Sequence, residues 1–132
     1  MLPFMPEMHL FEYAVIRLVP RVERGEFLNA GVILSCPSQG FLHTLYQFDE
    51  DRLRAFGAPE ADFAEWKERL CAFQKICAGR KEGGPIGQLP ASVRFRWLTA
   101  ARSTVVQTSP VHTGLCENAE ETLARLFREL VL

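Results

Sequence analysis

The stretch Tyr13–Cys36, YAVIRLVPRVERGEFLNAGVILSC, carries two apolar, β-branched runs around a short charged segment, Arg21-Val22-Glu23-Arg24-Gly25-Glu26. The spacing predicts a strand over 9–19, ended by Pro20, and a second strand over 27–35. The first run is nearly continuous in apolar residues, so it belongs in the middle of a sheet with both faces covered. Gly31 inside the second run marks a bulge or a close backbone approach. The charged segment between them is a hairpin turn.

Working outward, Pro37-Ser38-Gln39-Gly40 reads as a turn and 41–48 as a third strand, which makes an antiparallel meander. Asp49 can cap a short helix ending at Gly57. Pro59 suits the start of a longer helix over 59–78, in which Phe63, Trp66, Leu70, Phe73 and Cys77 form one apolar stripe. Gly79–Pro90, GRKEGGPIGQLP, is a Gly/Pro-rich loop, followed by a helix over 92–98 and a fourth strand over 103–108. Asn118 caps a final helix over 118–132, with Glu121 placed as in a capping box and Leu123, Leu126, Phe127, Leu130 and Val131 on one side. Residues 1–8 form a loose arm containing Pro3 and Pro6. The expected fold is α+β: a small antiparallel sheet of about four strands packed against two main helices, with both helices on one side of it.

The chain has 132 residues, which suits one domain spanning 1–132. With 15 Lys+Arg against 16 Asp+Glu, the net charge of −1 predicts no general affinity for nucleic acid. The four cysteines, Cys36, Cys71, Cys77 and Cys116, include no CxxC pair, so reduced thiols in a cytoplasmic protein are expected. The N-terminal MLPFMPEMHLF lacks a basic leader, and no run reaches the length of a membrane span. His43, His112, Cys36 and Cys116 have no ligand spacing, so neither a metal nor a cofactor is expected.

Two polar segments hold the candidate functional surface. In the first, Arg17, Arg21 and Arg24 can grip phosphate or carboxylate through forked guanidinium groups, and Glu23 and Glu26 can exchange protons; the structural alternative is a solvated turn with Arg–Glu pairs. Asn29 follows in the same segment. The second segment, RSTVVQTSPVHTGL at 102–115, carries Arg102, Ser103, Thr104, Gln107, Ser109, His112 and Thr113. His112 suits a general base, or else a turn-stabilising hydrogen-bond partner. No nucleophile-elbow pattern surrounds either serine, and Gly83-Gly84-Pro85-Ile86-Gly87 lacks the Gly-Lys-Ser/Thr of a phosphate loop.

Taken together with CENAEETLARLFRELV at 116–131, these segments resemble the bacterial family called domain of unknown function 3037. Tyr13, Arg17, Pro20, Arg24-Gly25-Glu26, Asn29 and Gly31-Val32 carry the first half of that resemblance. Arg102-Ser103-Thr104, Gln107, Ser109, Val111, Thr113 and Gly114 carry the second. The resemblance assigns no catalytic residue. It implies a regulatory partner for a kinase-like protein of the high-persistence toxin type. Two functions are therefore expected: an interaction module without enzymatic activity, or a domain that binds the phosphate of a nucleotide or nucleic acid in a cleft between the 17–29 and 102–113 segments.

Overall fold

A computed structural model describes residues 7–102 and 104–132. Strand β1 (His9–Leu18) pairs antiparallel with β2 (Leu28–Cys36), and β2 with β3 (Phe41–Tyr46), as the expected meander. On the other edge of β1 lie two strands in succession, β4 (Val106–Thr108) and β5 (His112–Cys116), both antiparallel to it. Among the described residues the sheet is thus five-stranded, and β5 forms where the sequence predicts loop. Pro110 has no N–H to give a ladder, which reads as the end of a strand. The chain in fact re-enters the sheet after it.

The re-entry is a bulge. Thr108 sits opposite Ile16 and His112 opposite Tyr13, so Ser109, Pro110 and Val111 face only Ala14 and Val15. A second irregularity lies on the other side of β1, where the register with β2 shifts between Ile16 and Arg17.

Five helices complete the fold: α1 (Glu50–Ala55), α2 (Phe63–Ala78), the single turn α3 (Gly84–Gly87), α4 (Ala91–Thr99) and α5 (Ala119–Leu130). Their ends follow local chemistry. The Asp49 side chain accepts from the Arg52 N–H at 3.1 Å, and Asn118 Oδ1 accepts from the Glu121 N–H at 2.9 Å. Gly79, at φ +73°, closes α2. The 79–90 segment is less irregular than expected, because α3 and a 3₁₀ turn at Lys81–Gly83 lie within it.

The two main helices lie on opposite faces of the sheet, not on one. Ala14, Ile16, Leu18 and Ile33 share a core with Trp66, Leu70 and Phe73 of α2 and with Phe95 and Leu98 of α4. Phe11, Val32, Leu34 and Cys36 share another with Leu123 and Leu126 of α5. Successive strand residues point to opposite faces. Val32, Ile33 and Leu34 are all fully buried, which requires a cover on each side. Each such side chain contributes about 1.5–3 kcal/mol on burial.

At Gly31 β2 approaches β3 with no room for a side chain. A Cβ there would lie 2.6 Å from the Leu45 carbonyl oxygen and 2.8 Å from the Tyr46 Cβ. Both are fixed parts of the neighbouring strand, so Gly31→Ala must push the strands apart. We expect a loss of about 1–3 kcal/mol in urea unfolding; unchanged stability would show that the approach is not tight.

Candidate functional site

Helix α5 is pinned at both ends. Gln39, in the β2–β3 turn, accepts from the Ala119 N–H at 2.8 Å and donates to the Glu117 carbonyl at 2.8 Å. At the far end Asn29 Nδ2 donates to the Leu130 carbonyl at 3.0 Å, and Arg52 Nη1 to the Val131 carbonyl at 2.8 Å. These donors satisfy carbonyls that a helix C-terminus leaves open, and the Arg52 charge suits the negative end of its dipole. So placed, α5 lies mainly over β2 and β3.

Beside it, on the same face, the two polar segments meet in the sheet. Arg17 of β1 stands between Asn29 of β2 and Gln107 of β4 as their cross-strand partner. The Arg17 guanidinium lies 4.0 Å from the centre of the Phe27 ring, a cation–π contact. The Arg17 Nε and Asn29 Oδ1 are buried without a hydrogen-bond partner among the described residues, one a donor and the other an acceptor. Further along β1, the rings of Tyr13 and His112 sit 5.3 Å apart. Gln107 Nε2 donates to the Thr104 carbonyl at 2.7 Å, which ties the edge of the row to the preceding loop.

Other candidates lie elsewhere. Arg21, Arg24 and Glu26 line a cleft of about 190 Å³ with Phe56 and Gly57. Arg24 and Glu26 pair with each other at the surface, and that carboxylate raises the Arg24 pKa. The charged turn itself is a 3₁₀ turn closed by Gly25 at φ +68°. Arg102, Thr104 and Gln107 line a different cleft of about 180 Å³, where α2 and α4 meet β4. The Arg102 guanidinium lies 4.1 Å from the Trp97 ring and donates to the Trp97 carbonyl. Ser103 is outside the described residues. Arg24 and Arg102 therefore line separate clefts, while Arg17 and Asn29 share a row with Gln107. Thr113 is opposite Glu12, on the other face from His112.

Ser109 has a structural duty. Its hydroxyl accepts from the Val15 N–H at 2.8 Å and its own N–H donates to the Val15 carbonyl at 2.8 Å, so a side chain fills a gap in the ladder. Four thiols are free. Burial pushes the Cys77 thiol up to about 11, against help from Thr44 and Arg94, and burial also raises Cys116. Among the described residues no group of three His, Cys, Asp or Glu side chains gathers as a metal site would need.

Sequence reasoning passed over several residues that the structure makes prominent. Phe27 carries the stacked Arg17 guanidinium. Leu10 and Leu115 form a cross-strand pair that is 61% and 62% exposed. The signal for the last pair was the alternation of Val111, Thr113 and Leu115, which only a strand assignment would have revealed.

The architecture defines a class: an α+β domain whose antiparallel sheet is covered by helices on both faces and carries a polar cross-strand row beside α5. The chain belongs to the protein family of unknown function DUF3037, whose family model matches residues 13–131, and this bears out the resemblance read from the two segments. No curated protein and no solved structure matches the chain.

Two expectations follow from these contacts. Ser109→Ala strands the buried Val15 N–H and is expected to cost about 1–3 kcal/mol, with faster amide exchange at Val15; unaltered exchange would contradict the ladder role. Cys77 keeps its proton in the folded state while the unfolded thiol loses it. Its contribution to stability is therefore fully present below the usual pKa of 9.0 and declines as pH rises towards about 11. Cys77→Ala should flatten that part of the stability–pH curve, and an identical curve would contradict the assignment.

Proposed function

We propose that the protein is an interaction module without enzymatic activity, which takes an extended segment of a protein partner along the open edge of β5. The observation that carries this reading is the edge itself. Among the described residues β5 pairs only with β1. Its sequence, His112-Thr113-Gly114-Leu115-Cys116, holds no Lys, Glu or other fixed charge of the kind that blocks strand addition. The exposed Leu10–Leu115 pair lies beside it, with Met8 at 49% exposure. Strand addition would satisfy the free backbone groups of the edge and bury these side chains.

The chemistry of the partner segment follows from the wall of the groove. Leu115, Arg125 and Arg128 line a depression of about 580 Å³ between β5 and α5. Arg128 forms no ion pair among the described residues, while Arg125 shares Glu129 at 3.3 Å. The same wall carries Glu117 and Glu121, so a segment of alternating apolar and polar residues bearing both signs of charge suits it. The family resemblance suggests a kinase-like protein as its owner, and four free thiols suit a reducing, cytoplasmic compartment. No helix among the described residues is long and apolar enough to cross a membrane.

The second reading, a phosphate-bearing ligand, is favoured by one observation, the unpartnered Arg17 Nε beside Asn29 Oδ1. A protonated phosphate oxygen could donate to the amide oxygen while another accepts from the guanidinium. A panel of nucleotides in a thermal-shift assay tests it, and uniformly absent shifts would remove it.

For the interaction reading, the purified kinase-like protein is titrated into the purified chain by calorimetry. We expect a saturable complex, weakened at least about tenfold by Leu115→Lys, which places a charge on the edge. The melting temperature of that variant should be unchanged. Absence of a complex, or a complex indifferent to Leu115→Lys, would overturn the reading.

A further inference from the structure

The cleft between α2, α4 and β4 combines an apolar floor with a charged rim. Its floor is apolar, formed by Phe73 and Ile76 of α2, Leu98 of α4 and Val106 of β4. Its rim carries two guanidinium groups, Arg69 and Arg102. Arg69 is engaged, since it donates twice to Glu65, at 2.8 and 3.2 Å. Arg102 has no carboxylate within ion-pair distance among the described residues. Its charge is uncompensated, yet the group is held in place by the Trp97 ring on one side and the Trp97 carbonyl on another. A planar guanidinium fixed in this way has little rotamer freedom left to lose, and its remaining N–H groups are free to receive an anion in forked geometry.

We propose that this cleft binds a small carboxylic acid with a compact apolar body, the body on the floor and the carboxylate on Arg102. Size supports it. A cavity of about 150 Å³ with apolar walls is enough to hold a benzene ring. The roughly 180 Å³ here leaves room for the carboxylate at the mouth. Thr104 and Thr108 also line the cleft. The Thr108 hydroxyl is turned to the Thr99 carbonyl, at 3.3 Å, and that of Thr104 to the Val106 carbonyl, at 2.6 Å. Neither hydroxyl proton is then free; Gln107 also lines the cleft, with one amide N–H beyond the one it gives to Thr104, and among these groups only Arg102 supplies an uncompensated charge for the anion. Apolar floor and single anion grip together favour an acid over a neutral compound of the same shape, and over bare phosphate, which has no apolar body.

The site lies apart from the β5 edge, so it stands or falls independently of the interaction reading. The test is a titration of the full chain with phenylacetate and with phenylacetamide, its neutral counterpart, followed by tryptophan fluorescence, with Trp66→Phe isolating the Trp97 signal, and by amide NMR shifts. We expect saturable changes at α2, α4 and β4 residues with phenylacetate, and binding at least about tenfold weaker for the amide. Arg102→Gln should remove the preference for the acid while leaving the amide unaffected. Ala72→Phe, at an exposed lining position on α2, should fill the mouth and abolish binding of both, with the melting curve confirming that each variant folds. Equal binding of acid and amide, shifts confined to residues outside the cleft, or no saturation in the millimolar range would overturn the proposal.

Discussion

A strand buried on both faces must find a partner for every backbone N–H and C=O in the strands beside it. For β1 this demand shapes the molecule. One edge is satisfied by β2, but the other needs two short strands and a side chain. β4 and β5 reach only parts of β1, and across the break between them Ser109 lends its hydroxyl to the Val15 N–H. Pro110 cannot donate there, so the bulge and the serine solve one problem together.

The same bulge decides which residues meet. It lets Gln107 stand opposite Arg17 while His112 stands opposite Tyr13, on one face. The shift on the β2 side brings Asn29 into the row with Arg17, and Asn29 in turn holds the last turn of α5. Sheet register, helix placement and the polar row follow from these two accommodations, one on each edge of β1. The edge left over, along β5, has no paired strand beside it among the described residues, and the apolar Leu10–Leu115 pair is exposed next to it.

Much of this fold was legible in the residues. Continuous apolar runs located β1 and β2, the stripe from Phe63 to Cys77 located α2, and Asn118 with Glu121 located the start of α5. Those are local signals of periodicity and capping. What was not legible was tertiary. HTGLC has little strand character of its own and becomes a strand because β1 offers it an edge. The opposite placement of α2 and α5 follows from full burial of Val32, Ile33 and Leu34 in succession. The apolar run showed that both faces are covered, without saying which helix covers which. For the site, the sequence marked the two segments but not their register, because each bulge shifts every later pairing by one residue. Arg24 and Arg102 looked equivalent to Arg17 in composition. They lie instead beyond the paired region, where their own neighbours, Glu26 and Trp97, hold them.

We propose the open edge of β5 as the place where this protein takes a partner. The most direct measurement is amide hydrogen exchange across the chain, free and mixed with the kinase-like protein. The account predicts that the amides of 112–116 are among the less protected of the sheet in the free protein and gain protection in the mixture, while the 21–26 turn is unchanged. Protection gained at the 21–26 turn with none at 112–116 would contradict it.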